Sequence, residues 1–396
     1  MTLAEINFLS SSEGEELIKK YQDLSETDLY HELMKSPYSK SPYLSAAVTQ
    51  IKLRKKAFGK FSKSAAMFFT PLSLEQSTGE EISKYISARF GQPKKIVDLT
   101  ASIGGNLIFL AAQAKQAVGI DINEVNISLA GLNSKVYGVN AKIKFICGDA
   151  FNNIVADADA FFIDPSRERS GKTKTRSIIN CEPNLIKIIP AILKISQNLG
   201  VKISPAFDYE EIKLLAGEPE IEIISEDNVC KVAMLWFGKL RTCRRRATCL
   251  IGEKIYSYRD KKELKPVLVS KMPLSYLYEP NKALIKAHLI NEIASEFKLQ
   301  KINRQTSYLT SDDLLSDNSE LFRIWKVINF APFSLKEIKA ELKIRKIARL
   351  NIITKRFPQK PEELYKKIKI KEGGEIFLIV TALSSEKYYY ILASRL

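Results

Sequence analysis

The chain has 396 residues, 45% of them apolar and 27% charged, a globular composition that argues against disorder throughout and, at this length, for two or three domains. No uncharged apolar run approaches the roughly 18 residues of a membrane helix, no basic stretch followed by an apolar core opens the sequence, and five cysteines without a Cys-x-x-Cys pair beside two histidines point to reduced thiols in a cytoplasm, not to a zinc site. The net charge of +16 is localised: residues 239–396 hold 33 basic and 17 acidic residues while residues 1–238 balance, so the last third offers a surface for a polyanion, most simply nucleic acid, or else a solvated lysine-rich face.

Residues 1–64 read as an N-terminal helical region. Apolar residues recur at helical spacing over 17–33, and Pro37 and Pro42 break the pattern. A basic-aromatic stretch follows at 52–63, with Arg54, Lys55, Lys56, Phe58, Lys60 and Phe61. Ser77 and Thr78, with Glu80 and Glu81 three residues on, form a capping-box pattern that predicts a helix to about Phe90.

From Lys95 short β-rich runs alternate with helical stretches. Strands are expected at 96–99, 117–120, 143–147, 160–163, 201–204, 220–224 and 231–237, with helices at 105–114 and 123–137 between the early ones. Such alternation means an α/β fold, a parallel sheet with helices on both faces, whose strands run near-continuously apolar because both faces are covered. Only about six residues separate the last two strands, too few for a crossover helix, so an antiparallel hairpin is expected there. Residues 65–238 thus read as one domain. Residues 239–272 read as a basic connecting segment, with Lys239, Arg241, Arg244, Arg245 and Arg246. Residues 273–396 read as a smaller α+β domain: helix 281–297, strand 322–328, helix 334–342, strand 350–354, helix 361–368 and strand 375–383.

The informative segment is residues 97–106, VDLTASIGGN. A strand ends at Asp98, and Thr100, Ala101, Ser102, Gly104, Gly105 and Asn106 lead into a helix. Small residues let the backbone approach a ligand closely, and the free amides of a helix start are donors. The second strand ends in Asp121-Ile122, where an acid is placed to bind ribose hydroxyls. The third ends in Asp149-Ala150 and the fourth in Asp164-Pro165-Ser166-Arg167. Singly, a strand-end Asp is often an N-cap. Four on successive strands, at the edge where open α/β sheets bind ligands, point to a nucleoside-type cofactor.

Over residues 65–238 this pattern resembles the class I S-adenosylmethionine-dependent methyltransferases. The resemblance implies a Rossmann-like seven-stranded sheet and S-adenosyl-L-methionine as cofactor. It implies that the Asp98–Asn106 turn wraps the methionine part, that Asp121, with Ile122 beside it, holds the ribose, and that Asp149, followed by Ala150, contacts the adenine amine. The family's usual turn has Gly where Thr100 and Ser102 stand, and Ser102 is strained if its φ is positive. A dinucleotide oxidoreductase is the neighbouring alternative, but G-x-G-x-x-G is absent.

Asp164-Pro165-Ser166-Arg167 stands where many amino-group methyltransferases carry Asp/Asn-Pro-Pro and an aromatic. A planar amine is a poor nucleophile because its lone pair is conjugated. A carboxylate that accepts its hydrogens frees and aims that lone pair, and orientation can supply roughly 7–11 kcal/mol. Asp164 is the expected acceptor, Pro165 fixes the loop, and Ser166 and Arg167 replace the second Pro and the aromatic, with Arg able to stack on a base or grip phosphate. Arg167, Arg169, Lys172, Lys174 and Arg176 make a basic loop beside them. Asp-Pro-x-Arg also occurs in 5-methyluridine methyltransferases, but these need a Cys that residues 203–208 do not supply. Asp208 there reads as a helix N-cap.

Several stretches together resemble a narrower group, bacterial class I methyltransferases with a THUMP-like C-terminal domain. They are residues 74–78, the Asp98 turn, residues 164–167, 233–238, 244–248, 276–280 and 308–311. The catalytic half is also similar to trimethylguanosine synthase. The resemblance implies that the segment holding Gln76 and Thr78 closes over the cofactor and that the partner is RNA, tRNA or rRNA. The lysine- and arginine-rich residues 336–371 support phosphate contacts without base readout. Trp236 and Trp325 read as core. The expected activity is methyl transfer to a base nitrogen of RNA. An RNA-binding protein with a degenerate methyltransferase domain, and a DNA-adenine or protein methyltransferase, remain alternatives. No metal and no membrane partner is expected, and the oligomeric state is open.

Overall fold

The structure, a computed structural model, describes all residues except 36–42, 168, 171–172, 175–176, 265, 305 and 383–386, and of residues 26, 30, 33, 34, 167, 169, 170, 173 and 174 it describes the backbone alone. Pro37, Pro42, Lys172 and Arg176 therefore lie outside the described residues. The chain divides into two compact units, Met1–Ile221 with Lys231–Thr242, and Glu222–Cys230 with Cys243–Leu396.

The first unit opens with helices α1 (Leu3–Leu9), α2 (Ser12–Tyr21), α3 (Glu26–Lys35) and α4 (Leu44–Lys56). Thr2 and Glu5 form a capping box at α1, and Ser11 caps α2. These helices do not form a body of their own. Ile6, Leu9, Leu17 and Ile18 share one cluster with Phe61, Phe68 and Phe69, and with Ile103, Ile108, Phe109 and Leu129 of the α/β part. Helix α5 (Pro71–Gln76) is opened by Thr70 and Ser73, which cap each other.

Helix α6 (Glu80–Arg89) corrects the sequence reading of its start. Gly79 is the N-cap, and no side chain caps it. Ser77 instead donates from Oγ to the Ser73 carbonyl at 2.6 Å. Glu80 turns to Ser62, accepting its N–H at 2.7 Å, and to the Tyr137 hydroxyl at 2.8 Å. The local capping signal lost to tertiary partners.

The sheet of this unit comprises β1 (Lys95–Asp98), β2 (Gln116–Asp121), β3 (Ile143–Cys147), β4 (Ala160–Ile163), β5 (Asn198–Ile203), β6 (Glu220–Glu226) and β7 (Val229–Gly238), in the order β3-β2-β1-β4-β5-β7-β6. The first five are parallel, with Val97 paired to Val118 on one side and Phe161 on the other. β7 runs antiparallel to β5. β6 and β7 are joined through Asp227 and Asn228 alone, both with positive φ (45° and 62°), the conformation that Asp and Asn tolerate in tight hairpins. Helices α7 (Leu107–Gln113), α8 (Glu124–Val136), α9 (Leu185–Leu193) and α10 (Tyr209–Ile212) connect the strands. All four residues of β4 are fully buried, as a strand covered on both faces requires. Trp236 is a core residue; Phe90 packs edge-on at 5.4 Å and the Arg89 guanidinium lies 4.7 Å from its ring. Asp208 caps α10 by accepting the Glu210 N–H.

In the second unit the stretch read as a connecting segment holds an antiparallel pair, β8 (Arg245–Ile251) and β9 (Lys254–Arg259), turned at Gly252 with φ 56°. Thr248 of β8 donates at 2.6 Å to Glu222, the part of β6 from Glu222 on belonging to this second unit. The main sheet contains β10 (Tyr276–Pro280), β11 (Leu309–Ser311), β12 (Phe322–Pro332), β13 (Arg349–Lys355), β14 (Lys371–Ala382) and β15 (Tyr388–Arg395), in the order β11-β10-β12-β15-β14-β13, with Gln300–Lys301 as a short edge beside β11. The expected helix at 281–297 is two, α11 (Lys282–Lys286) and α12 (Ile290–Glu296), because His288 takes φ 59°. Helices α13 (Leu335–Ile344) and α14 (Pro361–Ile368) lay Ile338, Leu342, Leu364 and Ile368 on Leu350, Ile352, Leu378 and Leu392 of the sheet. Leu277, Tyr308, Trp325, Ile379 and Ile391 form a second cluster, which places Trp325 in a core.

Among the described residues no helix is long and apolar enough to cross a membrane.

Candidate active site

Because β3, β2, β1 and β4 are neighbours and parallel, their carboxyl ends lie side by side, and each is followed or closed by an aspartate. Asp98 ends β1 and is 1% exposed. Its Oδ1 accepts the Thr100 N–H at 3.0 Å and the Thr100 hydroxyl at 3.4 Å. The Thr100 hydroxyl oxygen in turn accepts the backbone N–H of Asp164 at 2.6 Å. Thr100 therefore ties the end of β1 to the end of β4, a task that Gly could not perform at this position.

Burial pushes the Asp98 carboxyl up to about 7; the Thr100 N–H opposes this, and the charges of Asp164 and Asp121 add to it. Three carboxylates thus act on one place. Asp121 is the most heavily bonded of them. Its Oδ2 accepts the Ser102 N–H at 2.9 Å, and its Oδ1 accepts from the Asn123 N–H at 2.9 Å and the Asn126 side chain at 3.1 Å. The turn itself is held by Ala101 N–H to Ile120 O and Gly104 N–H to Ala101 O, each 2.8 Å.

Ser102 has φ 47°. An L-residue in this region costs roughly 1 kcal/mol or more, offset here by the Asp121 hydrogen bond. Gly104 has φ 87° and a Cβ there would meet Ala130 at 3.4 Å, so both its conformation and α8 demand glycine. Gly105 has no such constraint inside the protein, where a Cβ would meet Ser77 only at 3.7 Å. Asn106 is buried and accepts from Ser83 Oγ at 3.1 Å, so its side chain fastens α6 and does not line the turn.

Around this turn lie groups with unused capacity. Thr78 is 5% exposed, and its hydroxyl is buried without a hydrogen-bond partner among the described residues. Such a group costs about 1–3 kcal/mol if it stays unpaired. Ile122, directly after Asp121, is 76% exposed, an apolar side chain left in water. Gln76, at the end of α5, is exposed. Asp149 stands one strand further along; its Oδ1 accepts the Asn152 N–H at 3.1 Å, while Ala150 is buried. Spare carboxylate lone pairs, an unpaired hydroxyl and an exposed apolar surface suit a ligand with hydroxyls and a flat face.

At the β4 end, Pro165 is buried and Ser166 exposed. Ser166 donates to the Glu182 carbonyl at 3.3 Å, and residues 166–167 pair with 182–181 as a short antiparallel bridge. For Arg167 only the backbone is described.

Two further side chains were not marked by the sequence reading. Lys202 of β5 is 9% exposed and its ammonium bonds Asp164 Oδ2. The signal was available: a lysine between Val201 and Ile203 in an otherwise apolar strand needs a buried partner. Asn133 of α8 is fully buried. It accepts the Phe68 N–H at 2.8 Å and donates to the carbonyls of Phe68 and Ile103, each at 3.0 Å. It thereby fastens the turn to the segment before α5. No local pattern separates it from a surface Asn. Among the described residues no group of three or more His, Cys, Asp or Glu stands together as metal ligands.

Residues 93–186 match the family described as RNA cap guanine-N2 methyltransferase, residues 276–317 a ferredoxin-like domain, and residues 322–395 the family described as THUMP domain-like. The chain is 24% identical over 352 residues to the uncharacterized S-adenosylmethionine-dependent methyltransferase Rv3037c of Mycobacterium tuberculosis, covering 86% of this chain and 93% of that one. Over 94 residues it is 32% identical to the uncharacterized RNA methyltransferase SYNW1228 of Parasynechococcus marenigrum, spanning 23% of this chain and 20% of that one. A crystal structure from Porphyromonas gingivalis W83, described as a methyltransferase, superposes with a TM-score of 0.80 at 23% identity, over 99% of this chain and 98% of that chain. Strand order, the acid-edged rim and these matches together make the chain a class I S-adenosylmethionine-dependent methyltransferase with a THUMP-like C-terminal domain.

Proposed function

We propose that this methyltransferase acts on RNA, tRNA or rRNA, and methylates an amine nitrogen of a base. The observation that carries the reading is Asp164, held at the end of β4 through Thr100 beside Asp98 and Asp121. The guanine-N2 methyltransferase match over residues 93–186, the THUMP-like match over 322–395 and the name of the SYNW1228 relative support an RNA substrate. The charge is consistent with this: Lys336, Lys339, Lys343, Lys346, Lys366 and Lys367 of the second unit are all exposed, as phosphate contacts need.

The residues of the rim fit S-adenosyl-L-methionine. Asp121 has lone pairs left for the ribose hydroxyls. Ile122 is exposed for the adenine face, and Asp149 stands just past the end of the next strand for its amine. The unpaired Thr78 hydroxyl and the small-residue turn Thr100–Gly105 suit the methionine part. The bound cofactor would supply a methyl group on a sulfonium. Asp164 accepts a hydrogen of the acceptor amine and so frees and aims the nitrogen lone pair. Buried Pro165 fixes the direction of the chain after it, and Ser166 is anchored across to Glu182. Arg167 follows at the place where a base or phosphate must be held. Orientation of this kind is worth up to roughly 7–11 kcal/mol of the barrier. On this reading residues 65–238 carry the chemistry and 273–396 bind RNA.

The test is transfer of label from S-adenosylmethionine carrying a radioactive methyl group to total RNA of cells lacking the gene. Methylguanosine or methyladenosine in the digested RNA is expected. Label confined to protein, DNA or small molecules contradicts the reading.

A further inference from the structure

Lys202 has no reason to be lysine from the standpoint of the sheet. Val201 and Ile203 on either side are 0% and 7% exposed, and a buried ammonium is tolerated only with a charged, hydrogen-bonded partner. The partner is Asp164, through Oδ2; side-chain exposure is 11% for the lysine and 29% for the aspartate. Asp164 Oδ1 accepts no hydrogen bond among the described residues. One carboxylate oxygen is therefore fixed and the other is left over.

The charged neighbours of Asp164 can be named from each adjoining element. β1 contributes Asp98, whose carboxyl feels the charges of both Asp164 and Asp121 of β2. β5 contributes Lys202. The bridge after β4 contributes the backbone opposite Glu182. Thr100, the remaining contact, is neutral. Without the ammonium, no described side chain would hold Oδ2, and the carboxylate would be free to turn away from an acceptor amine.

We propose that Lys202 is a positioning residue for methyl transfer: its ammonium pins one oxygen of Asp164 at the end of β4, so that the other oxygen meets the acceptor amine. The inference rests on the reading of Asp164 as the amine acceptor and extends it to the residue that maintains it.

The test follows the surroundings of the Asp164 carboxyl directly, on the full chain with ¹³C at the aspartate carboxyl carbons. The Asp164 signal is identified by its loss in Asp164→Asn. In Lys202→Met, at one fixed pH, this signal should move and broaden as the carboxylate loses its anchor, and in Lys202→Arg it should stay near that of the unaltered protein. An unchanged signal in Lys202→Met overturns the proposal. A thermal melt checks that the variant is folded, and Lys202→Gln replaces it if it is not. This readout needs no RNA, so a failure of the substrate reading, seen as no label transfer by the unaltered enzyme, is a separate result. With RNA as acceptor, Lys202→Met should lower kcat about tenfold with KM for RNA and cofactor affinity retained, and Lys202→Arg should recover most of the loss. A rise in KM with kcat unchanged, or no recovery in Lys202→Arg, contradicts the proposal.

Discussion

Asp98 is a carboxylate placed where ionisation is expensive. It is buried at the end of β1 and shares its surroundings with Asp121 and Asp164, and its carboxyl is pushed up to about 7. Because this lies above the value in an unfolded chain, about 3.8, the folded protein binds more protons between those limits. Stability must then fall as pH rises from about 4 to about 7 and level off above. At pH 8 the ionised group costs on the order of 4 kcal/mol. Asp98→Asn keeps the acceptor for the Thr100 N–H but cannot ionise. It should raise the melting temperature of the cofactor-free protein at pH 8 and flatten its pH dependence between pH 5 and 8. Scanning calorimetry across that range checks this, and identical pH slopes for both proteins contradict it. The sequence placed Asp98 at a strand end because the run before it is apolar, but burial and the company of two other acids are properties of the assembled sheet. Lys202 shows the reverse, since its oddity was visible in the sequence while its partner, 38 residues away, was not.

At the scale of elements, the early strands were legible because a strand covered on both faces must be a short apolar run, and each such run ended in an aspartate. Helix starts were less legible. The capping signal at Ser77 and Thr78 failed because Glu80 finds Ser62, Lys84 and Tyr137 instead; burial works against ionisation of Glu80, but those hydrogen bonds prevail and hold its carboxyl down to about 2. The single helix expected at 281–297 broke at His288, where no Gly or Pro marks a turn. The N-terminal helices carry ordinary amphipathic patterns that do not say what they pack against, and the structure lays them on Phe109 and Leu129. Asn133 is the element-level fastening of the site, with three hydrogen bonds to two backbone segments far apart in sequence. Asn133→Ala should cost about 3 kcal/mol in urea unfolding, since it leaves buried backbone groups unpaired. It should also weaken cofactor binding measured by calorimetry, because the Ile103 carbonyl belongs to the turn. Loss below about 0.5 kcal/mol with unchanged binding contradicts that role.

At the scale of the whole molecule, the acids of the rim and the basic excess lie in different parts of the chain, residues 98–164 and residues 239–396. The distribution of Lys and Arg against Asp and Glu along the sequence made this division legible. The strands β8 and β9 inside the basic stretch were not, because Arg and Lys on exposed strand faces read as linker. If the second unit binds RNA through phosphates, affinity must fall steeply with salt. Replacing Lys336, Lys339 and Lys343 of α13 together by Gln should weaken binding to total RNA and lower the slope of log affinity against log salt by about 2, at roughly 0.7 per phosphate contact. Filter binding at several salt concentrations measures this, and an unchanged slope excludes α13 from the contact surface. The central claim is that Asp164, set on the rim by Thr100 and Lys202, drives methyl transfer to an RNA base. It is tested most directly by nucleoside mass spectrometry of total RNA from cells lacking the gene, supplied either with the unaltered gene or with Asp164→Ala. One methylated nucleoside should return with the former and stay absent with the latter, although both proteins accumulate and bind S-adenosylmethionine. Restoration by Asp164→Ala, or no RNA nucleoside changed by either, would contradict the account.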